Sequence, residues 1–125
     1  FTLGPHPLAL LRTQLRELNI VTSADLYKYT AGSRVRVAGL TTIRQRPSSA
    51  KNVTFITIED ETGSANLIIW KEVAQNNRET IINAELLGAL GIIQRHNQTV
   101  QIVVCDLFDY TKMLNEKIIQ ARSFR

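Results

Sequence analysis

One cysteine, three prolines and two histidines in 125 residues each remove a class of protein from consideration. A lone Cys105 cannot close an internal disulfide, so the chain is no stapled secreted scaffold, and a reducing, cytoplasmic compartment is expected. His6 and His96 stand far apart in the sequence, so the metal-binding spacings of His and Cys are missing and no metal site is expected. No apolar run approaches the roughly 18 residues of a membrane helix, which argues against a membrane partner. The opening FTLGPHP is neither a signal peptide nor a natural initiator, and the chain is expected to be part of a longer one. Phosphate-cradling glycine loops and nucleophile elbows are also missing, so no catalytic residue and no cofactor are expected within it. Aromatics make up only 6% of the residues, a thin supply for stacking.

What is present is organised around Val53–Trp70, VTFITIEDETGSANLIIW. Val53 to Asp60 alternates with period two, Glu61-Thr62-Gly63-Ser64 reads as a turn with Gly63 at positive φ, and Ala65 to Trp70 resumes an apolar strand. Alternation places Ile56 and Ile58 on a core face and Phe55, Thr57 and Glu59 on a half-wet one. The net charge is +4, and its distribution says more than its size. Arg34, Arg36, Arg44, Arg46 and Lys51 crowd one stretch without an acid, whereas 52–85 is net acidic. A basic stripe beside an acidic turn suits an anionic partner on one side of the molecule.

Leu8, Leu11, Leu15 and Leu18 fall at helical spacing with Arg12, Arg16 and Glu17 between them, predicting an amphipathic helix. Thr22 and Asp25 resemble a capping box that opens a short helix through Tyr29, ended by Gly32. Ser33 to Gln45 then alternates as a strand with Val35 and Val37 inward, Arg34 and Arg36 outward, and Gly39 at a bend or bulge. Arg44 to Asn52 is a basic loop. Lys71 to Asn83 carries helical spacing at Val73, Asn77 and Ile81 and predicts one helix of about three turns. Ala84 to Gln94 and Thr99 to Cys105 read as two more strands across the polar turn Arg95-His96-Asn97-Gln98, and Leu114, Ile118 and Ala121 suggest a closing helix.

Three strands, a helix and two strands, the first bent at a glycine, is the order of an OB-fold: a mainly β, five-stranded barrel. The expected organisation is a helical connector over 1–32, the barrel over 33–110 and a C-terminal helix or tail over 111–125. OB barrels bind oligonucleotides on strands two and three, between the loops joining strands one to two and four to five. That assigns Phe55 to base stacking, Thr57 and Asn66 to polar contacts beside it, and Arg44, Arg46 and Lys51 to one rim. Arg95 and His96 form the other rim, and the outward Arg34 and Arg36 extend the cationic surface. Glu59-Asp60-Glu61 is expected to cap backbone donors at the turn rather than hold a metal ion. Cys105-Asp106-Leu107-Phe108 loosely resembles the short peptides that bind the sliding clamp, but the end of strand five is the preferred reading.

The spacing Phe55-x-x-Ile58-x-Asp60-x-x-Gly63-x-x-Asn66 resembles an OB hairpin shared by some synthetase anticodon domains and by bacterial C-family DNA polymerases. The longer run VRVAGLTTIRQRPSSAKNVTFITIEDETGSANLIIW, with LGPHPLALLRTQLRELNI before it and ARSFR at the end, is similar to the C-terminal region of the error-prone C-family polymerases. Ser48-Ser49 and Asn52 depart from that family's loop. The resemblance implies a parent enzyme that copies damaged DNA with paired carboxylates and Mg²⁺, none of them in this stretch. It also implies that Phe55 and Asn66 meet bases and that Arg44, Arg46 and Lys51 meet the backbone of single-stranded template in the bacterial cytoplasm. The alternative it leaves open is a module that docks accessory proteins or the sliding clamp.

Overall fold

The computed structural model describes residues 6–45 and 52–123. In chain order the elements are α1 (Pro7–Glu17), a 3-10 helix (Ala24–Lys28), β1 (Arg34–Gln45), β2 (Val53–Asp60), β3 (Gly63–Trp70), α2 (Lys71–Asn76), α3 (Arg78–Asn83), β4 (Leu86–His96), β5 (Thr99–Asp109) and α4 (Thr111–Ser123). The strands close into a barrel in the order β1-β2-β3-β5-β4, which is the expected mainly β, five-stranded OB architecture.

The central hairpin forms as its pattern requires. Asp60 pairs with Gly63, leaving Glu61-Thr62 as a two-residue turn, and β3 starts two residues earlier than expected. Asp60 builds that turn: its Oδ1 accepts the Thr62 amide at 2.8 Å, the Thr62 hydroxyl at 2.7 Å and the Gly63 amide at 3.1 Å. Gly63 has φ +152°, which a side chain would resist. Ile56 and Ile58 are buried in the barrel while Phe55 and Thr57 are half-exposed outside it.

β1 serves two ladders, pairing with β4 over Arg34–Leu40 and with β2 over Leu40–Gln45. The expected bulge at Gly39 lies instead between Thr41 and Ile43. Gly39 is needed for another reason: a Cβ there would sit 2.8 Å from the carbonyl oxygen of Glu59, so only a bare backbone lets β2 cross this closely. Strand five also outruns its expected end, reaching Asp109 through a bulge. Asp106 faces Leu90 and Val104 faces Gly91, so Cys105 is the extra residue.

The single helix expected over 71–83 is two short ones. Asn77 breaks it with φ −129°, and its side-chain amide donates to the Val73 carbonyl at 2.8 Å, replacing a backbone bond. The pair plugs one barrel end, where Ala74, Val73 and Ile81 meet the interior.

A second apolar core lies outside the barrel. Leu8, Leu11 and Leu15 of α1 are fully buried against Ala38, Leu86 and Leu114, with Tyr110, Met113 and Ile118 at the margin. Each fully buried leucine contributes about 1.5–3 kcal/mol, so α1 and α4 are parts of the folded unit, not loose flanks. Leu18, expected on this stripe, caps the helix and is 37% exposed. The stripe's actual fourth member is Arg12, and Ile20 takes the apolar place after the helix ends.

Candidate nucleic-acid interface

Side chains directly opposite each other on paired strands share a face, so the ladder registers define the outer surface row by row. One row runs Gln45, Phe55, Ile68 across β1, β2 and β3; the next runs Ile43, Thr57, Asn66. Phe55 and Ile68 are half-exposed and form a shallow apolar step. Ile43 is 49% and Trp70 52% exposed at its edges. The Thr57 hydroxyl donates to Asn66 Oδ1 at 3.1 Å, which orients the Asn66 amide and leaves its NH2 facing solvent. The surface thus offers an aromatic ring, aliphatic neighbours and a fixed amide donor, suited to stacking and to a base edge.

The cations are distributed differently from the sequence-level expectation. Arg44 lies opposite the buried Ile56, in the inward row. Its guanidinium turns to the barrel end and donates to the carbonyls of Ile81 at 2.9 Å and Ala84 at 3.0 Å, capping α3. Arg95 does the same at another rim: it lies opposite the buried Val100 and donates to the carbonyls of Tyr27 at 2.7 Å and Tyr29 at 2.6 Å. Both arginines therefore hold helix ends, and neither shares a row with Phe55. A basic residue at a strand end has this second use because helix ends leave carbonyls unpaired.

His96 is exposed at the end of β4, opposite Thr99. Arg34 is exposed and Arg36 half-exposed on the outer side of β1, where the Arg36 guanidinium lies 5.5 Å over the Phe108 ring. Arg46 and Lys51 lie outside the described residues.

The acidic turn is a socket for the N-terminal segment. Arg12, 7% exposed, donates from Nε and Nη2 to the two Glu61 oxygens at 2.7 and 2.8 Å, and Nη2 lies 3.5 Å from Asp60. Asp60 also accepts the Ser23 amide at 2.8 Å, and Thr62 accepts the Ala24 amide at 3.0 Å. His6 approaches Glu59 at 3.5 Å. The Arg12 hydrogen bond holds the Glu61 carboxyl below its ordinary value, and the same bond raises the Arg12 guanidinium above its own. Among the described residues no cluster could hold a metal ion. Arg12 escaped the sequence reading, although its spacing of four from Leu8 and one from Leu11 placed it on the buried stripe.

A closed barrel in this strand order, with an amphipathic outer face over β2 and β3, defines a class. The tRNA anti-codon family, described as an OB-fold nucleic acid binding domain, matches residues 28–110, and the chain belongs to it. Over almost its full length the chain is also similar to bacterial proteins named Error-prone DNA polymerase. It is 47% identical to the one from Alkalilimnicola ehrlichii over 99% of this chain, and 42% identical to one from Pseudomonas fluorescens over 98%. It spans 12% of the length of each. Among solved structures, asparaginyl-tRNA synthetase from Pyrococcus horikoshii superposes with a TM-score of 0.61 at 19% identity, covering 71% of this chain and 22% of that one. At that identity the likeness concerns the fold. No described helix is long and apolar enough to cross a membrane.

Proposed function

We propose that this chain is a noncatalytic OB module of an error-prone, lesion-copying DNA polymerase, and that it holds single-stranded template on the outer face of β2 and β3. The observation that carries the reading is the uncovered step of Phe55 and Ile68 beside the oriented Asn66 amide. Membership of a nucleic-acid-binding family and similarity to the polymerases support it. Phe55 stacks a base, Asn66 donates to a base edge, and Arg46 and Lys51 supply phosphate contacts from the β1–β2 loop. Mg²⁺ and the acids that use it belong to the rest of such a polymerase, in the bacterial cytoplasm.

Stacking on an aromatic contributes about 1–3 kcal/mol per base and tolerates any sequence, so the module would grip template without reading it. The test is fluorescence anisotropy of a labelled single-stranded oligonucleotide titrated with the chain at two salt concentrations. Binding that weakens with salt, by about 0.7 in log-log slope per phosphate contacted, supports the reading, and no binding at low salt refutes it.

A second reading is favoured by one observation: Ile43 and Trp70 expose large apolar surfaces at the edges of the same face. They suit docking of an accessory protein of the polymerase complex. A clamp contact through Cys105–Phe108 gains no such support, because that segment is strand and Leu107 is buried in the barrel.

A further inference from the structure

A cavity of about 500 Å³ opens at the barrel end where α2 and α3 meet the start of β2, within the range of sites that take a ligand. Neither Phe55 nor Asn66 lines it. Each short helix gives it three positions at spacing i, i+3, i+4, which share one helix face: Lys71, Ala74 and Gln75 from α2, and Arg78, Ile81 and Ile82 from α3. The break at Asn77 restarts the pattern, so a cation opens each triplet and an apolar residue follows three positions on. Val53 and Thr54 form the facing wall.

The charges around this groove are of one sign. Lys71 and Arg78 are exposed and make no ion pair among the described residues, and no described acid lines the cavity. Arg44, bonded to the Ile81 carbonyl at 2.9 Å, adds a third positive charge at the same barrel end. Between the cations lies apolar surface. Ile82, at 67%, is the most exposed of the large apolar side chains described, and the half-buried Ile81 and the buried Ala74 and Val53 continue it inward. Thr54 is 8% exposed, and its side chain makes no hydrogen bond among the described residues. No described aromatic ring lines the groove, so it lacks the stacking surface that a single-stranded nucleic acid uses. The chain's own acidic turn cannot fill it from a second copy, because Asp60 and Glu61 are held by Arg12 and by the Ser23 amide.

We infer that this groove docks a short segment of a partner protein in which carboxylates alternate with bulky aliphatic side chains. The carboxylates pair with Lys71 and Arg78, and the aliphatic side chains cover Ile81, Ile82 and Ala74. The Gln75 amide and the Thr54 hydroxyl, which both donate and accept, serve the peptide groups of the segment. The inference stands apart from the β2–β3 reading, with which it shares no residue, and it sets the protein contact at the barrel end rather than at the Ile43–Trp70 edge.

The test titrates the 125-residue chain into a short fluorescein-labelled peptide that alternates aspartate with leucine, followed by anisotropy. Two companions serve as controls, one with lysine in place of aspartate and one with serine in place of leucine. The acidic-aliphatic peptide should bind saturably, and neither companion should displace it. Ile82→Ser should weaken it roughly tenfold, as should the charge reversal Lys71→Glu/Arg78→Glu. All three are exposed side chains, and unchanged circular dichroism and urea midpoints will establish that the barrel is intact. Ile82→Ser should also leave the affinity for a single-stranded oligonucleotide within about twofold, since no base stacks at the groove. Absence of saturable binding, equal binding of all three peptides, or variants that bind as the parent chain does would overturn the inference. Displacement of the peptide by the oligonucleotide would assign the groove to nucleic acid and overturn it as well. Peptide binding by a chain that binds no oligonucleotide would leave this inference standing while the β2–β3 reading falls.

Discussion

The barrel wall has two apolar outer faces, and the chain treats them in opposite ways. Over β1 and β4, Ala38, Leu40 and Leu86 lie under α1 and α4 and join a second core with fully buried leucines. Over β2, β3 and β5, Phe55, Ile68 and Val103 belong to neither buried cluster among the described residues and stay half-exposed. Covering the first face takes two helices, a buried arginine and a carboxylate socket at the hairpin turn. The second face lacks any such provision among the described residues, although its apolar content is similar. A surface left open where its twin is sealed is a place for something outside the chain. The hairpin joins the two, since the turn that ends β2 is also where Arg12 anchors α1.

The largest effect should come from breaking the sealed face. Leu15→Ala leaves a cavity in the second core and should cost about 2–5 kcal/mol in urea unfolding. Phe55→Ala, on the open face, should cost far less stability. Next comes the latch. Arg12→Ala strands Glu61 and Asp60 without their cation and should lower stability by about 2 kcal/mol, while the apolar double exchange Arg12→Met/Glu61→Leu should recover much of that loss. The third variant reverses the comparison: Phe55→Ala should weaken oligonucleotide binding by about 1–3 kcal/mol, whereas Leu15→Ala leaves affinity unchanged wherever the barrel remains folded. The lone tryptophan, Trp70, exposed at the edge of the open face, offers an intrinsic fluorescence signal for that titration.

Two smaller effects sharpen the contrast. Glu61 has its folded value lowered, so the unfolded chain takes up the proton first as pH falls. Its stabilisation is complete above the unfolded glutamate value of about 4.3 and is lost as pH falls through the lower folded value. The stability gap between the parent chain and Glu61→Gln should close over that acid window, as followed by urea midpoints. Arg44→Ala should cost about 1 kcal/mol by uncapping α3 and leave the salt slope of DNA binding unchanged; a slope reduced by about 0.7 would return Arg44 to the ligand.

Much of this was legible in the sequence, for physical reasons that differ by element. The hairpin was readable because alternation and turn chemistry agree over Val53–Trp70, and the barrel order followed from five such strands. The split at Asn77 was hidden because apolar spacing continues through it, while the side-chain bond that replaces the helix ladder leaves no periodic trace. The length of β5 was hidden by its bulge, which shifts the alternation at Cys105 and imitates an end.

For the candidate interface, residue type announced Phe55 and Asn66, and alternation gave their face. The arginines were harder. A loop-edge arginine reads as a phosphate contact until the register shows which row it occupies, and Arg44 and Arg95 both fall in inward rows. Gln101 was unreadable as a neighbour of Asn66, since only the β3–β5 register brings the two side by side. Arg12 looked like a solvent-facing residue because its partner lies 49 positions away.

The measurement that tests the contrast most directly is amide chemical-shift mapping of the isotope-labelled chain during titration with single-stranded DNA. The account predicts shifts concentrated at Phe55, Thr57, Asn66 and Ile68, with α1 and α4 silent. Shifts centred on the helices, or none at saturating DNA, would contradict it.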